Sequence, residues 1–570
     1  MREPLQAKTL RAAVLTIAAL ALCAPIAAGL WHSAGAAMGH LPALGKAGPS
    51  IGPLTELLAK PGFATALRLT LVTGFAATIL SLVLGVALAA AITQGPARII
   101  SRLLAPFLAM PHAAMAVGLA FVLAPSGWVA RTLAPILGWA RPPDLATVND
   151  AFGAALILGL VVKETPFLLL VILAALTQIP LRAQINAAQS LGYGLGAIWA
   201  KVIVPQLWPL IRLPVYVVLI YNLSVIDMAL ILGPSNPPTA AVLIARMYSS
   251  PDLAQILPAS AGAILLGLCA AASIAALSGG ARAFARVGPV WVRRGWRGGG
   301  RGGGRGGGLN TLIAAVAMLG AGLLLLGAGS MLSLGLWSLA WRWPWPMLLP
   351  ESLSFTAWAG ALQDFGPALQ NTATIALAST AISLAMAVAW LETQFKSRHE
   401  ALIYLPLLIP QISFLFGMNT LLLQLGAQGS IGAVIWAHVL FVFPYMMIAL
   451  TGPWRALDPR FGQAAASLGA GRLRQLCAVK LPMLLTPICA AVAIGVAVSV
   501  AQYLPTLFLG AGRIGTLTTE AVTLASSSDR RITGVVTSLQ AVLPFAAYLL
   551  AFIIPKLAHR NRSALQGATG

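Results

Sequence analysis

Apolar residues run through this chain in long blocks, separated by short stretches rich in polar residues, glycine and proline. A helix rises 1.5 Å per residue, so about 20 apolar residues cross a bilayer. Blocks of about that length fall at 12–31, 65–93, 103–124, 152–176, 208–232, 253–278, 309–332, 368–391, 401–424, 432–451, 483–507 and 532–554. They predict an all-α polytopic membrane protein with about 12 transmembrane helices. The first block follows Arg2, Lys8 and Arg11, the order found in a signal peptide. It is longer than the apolar region of about 7–15 residues that such a peptide carries, so it is expected to stay as the first span.

The pattern recurs in the second half of the chain. ALRLTLVTGFAATILSLVLGVALA (66–89) aligns with ALQNTATIALASTAISLAMAVAWL (368–391). NAAQSLGYGLGAIWAKVIVP (186–205) aligns with QAAASLGAGRLRQLCAVKLP (463–482). In the second pair two alanines follow the first residue, a Leu-Gly step comes next, and a proline closes the stretch. The first half carries a longer outer segment (125–150), which accounts for most of the difference in spacing between the two pairs. Six spans per half return each half to the side where it began. The halves therefore read as parallel repeats about an axis along the membrane normal, with a pathway expected between them. The expected division is 1–281, a linker over 282–308, and 309–570. The linker holds RRGWRGGGRGGGRGGG. It reads as a flexible tether with a reach of roughly 28 Å, and nucleic acid is not expected as its partner because no Phe or Tyr is interspersed.

Composition agrees with the pattern. The chain is 59% hydrophobic and 9% charged, with mean hydropathy +0.87; soluble domains carry about 25% charge. The formal charge of +22 reads as basic cytoplasmic loops, and the larger share of Lys and Arg falls on the N-terminal side. Both termini are therefore expected in the cytoplasm. Trp337, Trp341, Trp343 and Trp345 follow the seventh block and suit an outer interfacial belt. Cys23, Cys269, Cys477 and Cys489 share no spacing pattern and read as spectator thiols.

The repeated stretches each follow an even-numbered block, so both face the cytoplasm. A helix over 181–191 should stop at Gly192 in the left-handed conformation, and a second should run to Val204 and end at Pro205. Gly469 and Pro482 repeat the device. Ala187, Ala188, Ala464 and Ala465 would let a partner backbone approach closely, and Leu191 and Leu468 offer apolar anchors. A face lying on lipid would carry larger apolar residues, so docking to a partner is the preferred reading.

These stretches resemble the EAA loop of ABC-importer permeases, Glu-Ala-Ala-x-x-x-Gly with a Leu-Pro or similar ending. The six-span unit resembles the type I (MetI-like) permease fold, and two units in one chain resemble the fused permeases of thiamine- and ferric-iron-type importers. SVAQYLPTLFLGAGRIGTLTTEAV (499–522) and VVKETPFLLL (161–170) look like one branch of these. Asn186 and Gln463 stand where the family has glutamate, keeping hydrogen-bonding capacity without the charge. The resemblance implies a bacterial inner-membrane protein with an external or periplasmic solute-binding protein and two copies of a cytoplasmic ABC ATPase. ATP would sit on that ATPase and no cofactor on this chain, which is not itself an enzyme: it has no Gly-x-x-x-x-Gly-Lys-Ser/Thr cradle. GYGLGA (192–197) follows no strand and reads as a chance match to the dinucleotide fingerprint.

Lys163 and Glu164 fall in mid-span, where a lipid-facing charge costs about 2.5–3.5 kcal/mol on insertion scales. They are expected to face the bundle interior. Asn222, Asp227 and Gln502 add polarity in blocks five and eleven. Two readings stay open: structural pairing, for example Lys163 with Asp227, or lining of a solute path. Glu164 and Asp227 lean toward a cationic solute. His438 reads as a packing histidine, and no metal cluster or nucleophile–base set emerges. A secondary transporter, with Lys163, Glu164 and Asp227 as an ion relay, is the alternative function.

Overall fold

The computed structural model describes residues 5–42, 45–46, 48–93, 104, 106–294, 308–393, 400–526 and 529–560. Helices occupy all twelve apolar blocks. Ten long apolar helices are Arg11–Ala37 (span 1), Phe63–Ile92 (2), His112–Leu137 (3), Ala154–Leu176 (4), Leu195–Ser224 (5), Leu253–Arg293 (6), Gly308–Leu339 (7), Gly366–Glu392 (8), Ile431–Ala456 (10) and Arg530–Ala558 (12). Two further spans are bent pairs: Leu402–Leu408 with Gln411–Gln424 (9), at 105°, and Arg472–Met483 with Leu485–Val500 (11), at 80°. The protein is an all-α polytopic membrane protein. Among the described residues the β-structure is small: Ala340–Arg342 pairs antiparallel with Ser352–Leu353, beside an isolated bridge between Leu41 and Lys46.

The outer surface is apolar, as a bilayer requires. Leu319, Leu325, Val72 and Leu549 are exposed. Inside, small residues let backbones meet, because lipid supplies no hydrophobic drive between helices. Span 1 packs against span 6 and across onto span 9; span 7 packs against span 12 and across onto spans 2 and 3. At one crossing a Cβ added to Gly417 would overlap the Gly29 carbonyl, and the Gly417 amide donates to Ser33 Oγ at 3.2 Å. At the other a Cβ on Gly118 would lie 2.5 Å from the Ser330 carbonyl oxygen, and Ser333 Oγ donates to the Gly118 carbonyl at 3.1 Å. The two crossings use the same chemistry.

Four spans do not cross as the continuous helices the apolar blocks suggested. Span 3 is interrupted at Met110–Pro111, before a helix starting at His112, and span 9 at Ile409–Pro410, before Gln411. In both, proline takes extended backbone and cannot donate to the preceding turn. Span 5 breaks at Val225–Ile226, and a short helix, Asp227–Leu232, follows. Span 11 breaks after Val500 and resumes as Leu504–Gly510, with Pro505 in its first turn. The tether is also shorter than read: span 6 stays helical to Arg293, so residues 282–293 belong to a helix, and 295–307 lie outside the described residues. Ala and Arg over that stretch favour the helix, which runs on through Gly288 and Pro289.

Candidate translocation cavity and repeated loops

The four breaks converge. The ends of spans 3, 5, 9 and 11, with walls from spans 4, 10 and 12, line a cavity of about 290 Å³. Interrupted helices are tolerated at membrane depth only where the freed backbone meets protein or a polar cavity. Lys163 meets one of these demands. Its Nζ donates to the carbonyl oxygens of Phe107 at 2.8 Å and Met110 at 2.5 Å, next to Pro111. The pairing of Lys163 with Asp227, an example of one of the two readings left open by the sequence, does not form. The ammonium caps the open end of a broken helix, because two carbonyls released by the break lie nearer than any carboxylate hydrogen-bonding to it.

Glu164 turns the other way along the helix surface and faces His112, with Nε2 to Oε1 at 3.4 Å. The His112 ring stands 4.6 Å from that of Tyr221, and Tyr221 Oη approaches Asp227 Oδ1 at 3.5 Å. Glu164 and Asp227 are each only 6% exposed. The second half contributes Gln411, Tyr445, Gln502 and Tyr503, with Tyr548 from span 12. Gln502 Nε2 donates to the His438 carbonyl at 3.2 Å, while its Oε1 is buried without a hydrogen-bond partner. Of the polar residues singled out from sequence, Lys163, Glu164, Asp227 and Gln502 share this cavity. Asn222 does not line it: its amide donates to Thr78 Oγ1 at 3.0 Å and ties span 5 to span 2. His438 is a packing residue, with ring nitrogens 2.8 Å from Ser499 Oγ and 2.9 Å from Thr506 Oγ1. Sequence reasoning missed His112, Gln411 and the tyrosines. The matched Pro111-His112 and Pro410-Gln411 steps were the available signal.

The repeated loops fold alike. Leu181–Ser190 and Arg460–Ser467 are short helices, each followed by a leucine and a glycine with φ of 80°. The amides of Tyr193 and Gly192 donate back to the carbonyls of Ala188 and Gln189; those of Ala470 and Gly469 donate to Ala465 and Ala466. This paired closure is the Schellman motif. Ser190 and Ser467 add matching side-chain bonds to the Ala187 and Ala464 carbonyls, both 2.8 Å. Asn186, Ala187, Gln463 and Ala464 are exposed, Ala188 and Ala465 partly so. Leu191 and Leu468 are 63% and 88% exposed.

One expectation about these loops fails in the first of them. Pro205 does not stop a helix, whereas the helix through Pro482 ends one residue on, at Met483, before the 80° bend into Leu485–Val500. A π-turn precedes each, Trp199–Ile203 and Leu476–Lys480, and the chain continues into span 5 or span 11. The wider turn accommodates the residue that has no N–H and clashes with a regular ladder. The loops are braced differently. The Gly196 amide donates to Asn310 Oδ1 at 2.7 Å, from the start of span 7. Lys480 pairs with Glu392 of span 8 at 2.6 Å.

Away from these loops, the tryptophan cluster is built into the fold. Buried Arg131, on the Trp128–Leu137 helix, donates to the carbonyls of Pro344 and Met347 and lies 5.0 Å over the Trp343 ring and 5.5 Å over that of Trp345. The segment after span 7 is thereby fastened to span 3.

A scan against protein-family models finds no match. The chain is 32% identical over 520 residues, 90% of its own length and 92% of the relative's, to the inner membrane ABC transporter permease protein YnjC of Escherichia coli (strain K12). A relative of that identity, matched over nine tenths of both chains, shows the family: this chain belongs to the ABC transporter permeases of the inner membrane.

Proposed function

We propose that the chain is the whole membrane conduit of an ABC importer: two parallel six-span halves of the type I permease fold, fused in one polypeptide with both termini in the cytoplasm. An external solute-binding protein hands solute to the face bearing the tryptophan cluster. Two copies of a cytoplasmic ATPase bind the loops at 186–205 and 463–482. ATP stays on those subunits. Their closure pushes on the loops, and the halves rock about the cavity between spans 3, 5, 9 and 11. The coupling is mechanical and forms no covalent bond.

The observation that carries this reading is the pair of loops. Two surface turns with the same Schellman closure, the same left-handed glycine and the same exposed leucine occur once per half. An exposed leucine at a protruding turn is costly in water and suits a partner's apolar groove. The uncharged Asn186 and Gln463 predict a contact that withstands moderate salt. The test is co-purification of the ATPase with wild-type protein and with Leu191→Asp, Leu468→Asp and the double variant, across a salt series. Wild type should retain the ATPase through moderate salt, single variants should bind it weakly, and the double variant should lose it. Full retention by the double variant would overturn the docking assignment.

A further inference from the structure

We propose that the central cavity binds a small organic monocation. Glu164 and Asp227 supply the counter-charge, and the rings of Tyr221, Tyr445, Tyr503 and Tyr548 supply the walls. This inference rests on the reading of the cavity as the solute path.

Charge placement decides the sign. The formal charges at the cavity come from the first half: Lys163, Glu164 and Asp227, with His112 beside them. Lys163 directs its ammonium to the Phe107 and Met110 carbonyls. Its positive end is committed to backbone and is a poor receptor for an anionic solute. Glu164 faces the His112 ring at 3.4 Å. Asp227 has the Tyr221 hydroxyl at 3.5 Å, the outer limit of a hydrogen bond. A buried carboxylate with so little side-chain support is costly to keep ionised and is stabilised by a cation. The one ammonium at the site is committed to backbone carbonyls, so among the described residues Glu164 and Asp227 face the cavity with no lysine or arginine bonded to them.

The walls decide the rest. The facing half presents Gln411, Gln502 and tyrosines and no formal charge. A metal ion such as calcium takes about six to eight oxygen ligands, which a wall of aromatic and aliphatic side chains does not provide. A delocalised or alkylated nitrogen cation gains from aromatic faces and tolerates apolar neighbours. The Gln502 Oε1, buried without a partner, adds an acceptor for an N–H or O–H on the solute. A volume of about 290 Å³ suits a molecule of one or two rings.

The test uses the purified permease–ATPase complex in lipid nanodiscs and titration calorimetry with three probes of similar size: benzyltrimethylammonium, benzyl alcohol and benzenesulfonate. The cation alone should bind, with one site per complex. Asp227→Asn should weaken it about tenfold or more, and Asp227→Glu should recover most of the loss. Tyr503→Leu, on the opposite wall, should weaken it independently and covers the case in which Asp227→Asn does not fold. Absence of cation binding to wild type, equal binding of either other probe, or wild-type affinity in both Asp227→Asn and Tyr503→Leu would each overturn the proposal. The ATPase content of each sample separates the two levels. Failure of cation binding in a complex that retains its ATPase removes the cation assignment alone. A wild-type protein that never retains an ATPase removes the coupling reading instead.

Discussion

Lys163 shows how one side chain makes a broken helix possible. Pro111 leaves carbonyls without amide partners in mid-membrane, and one ammonium from the next span takes two of them. Hydrogen bonds to a charged group contribute about 1.5–3 kcal/mol each. Lys163→Met should therefore lower the thermal stability of the solubilised protein by many degrees, while Lys60→Met should change it little; fluorescence-detected size-exclusion after heating compares them. Lys60 bonds Gln255 across a partly exposed contact. Equal midpoints would show that the carbonyls find other partners. Gly469 is a second case. Its φ of 80° is open to glycine and costs a β-branched residue about 1–2 kcal/mol, and a Cβ there meets no atom within 4 Å. Gly469→Val should therefore leave membrane insertion intact but distort the turn, reducing ATPase retention and uptake together. Unchanged retention would place the contact elsewhere on the loop.

At the scale of elements, close crossings rather than apolar burial set which helices pair. Span 1 meets span 9 through Gly29, Ser33 and Gly417, and span 7 meets span 3 through Ser330, Ser333 and Gly118. Substituting leucine at Gly118 or Gly417 forces the backbones apart. Each change should reduce the yield of monodisperse protein severalfold, whereas Gly322→Leu, in span 7 with open space around it, should not. Comparable yields for all three would mean that these crossings adapt by shifting. The same glycines explain why sequence pattern alone could not pair the helices. Leucine- and alanine-rich faces look alike, and the decisive feature is the absence of a side chain at one point on each.

The whole molecule is tied together by exchange. The first helix of each half lies on the other half, and Arg131 fastens the segment after span 7 to span 3. This makes the covalent link secondary. Two fragments, 1–294 and 308–570, co-expressed from separate genes, should assemble and co-purify, and transport should survive replacement of 295–307 by an uncharged Gly/Ser stretch of equal length. Each fragment alone should be degraded or aggregate, because its exposed glycine face lacks its partner. Independent stability of either fragment would show that the exchange is dispensable. Capture of one fragment by an affinity tag on the other reads the outcome.

Sequence by itself determined the class and much of the plan. Twelve apolar blocks must become helices, because no other open segment satisfies its backbone in lipid. Mid-span Lys163 and Glu164 had to turn inward for the same reason, and the left-handed turns at Gly192 and Gly469 were legible from residue type and position. Those features depend on local geometry and on the bilayer as solvent. Tertiary structure decided what depends on meeting a distant neighbour. Lys163 took carbonyls rather than Asp227 because the break at Pro111 brought them within reach. Asn222 left the cavity for Thr78. Pro205 was taken up behind a π-turn because span 5 had to continue into the bundle, whereas the helix through Pro482 ends at Met483. Above all, the gathering of the tyrosines beside Glu164 and Asp227 follows from the convergence of four broken helices, and a linear pattern carries no measure of that convergence.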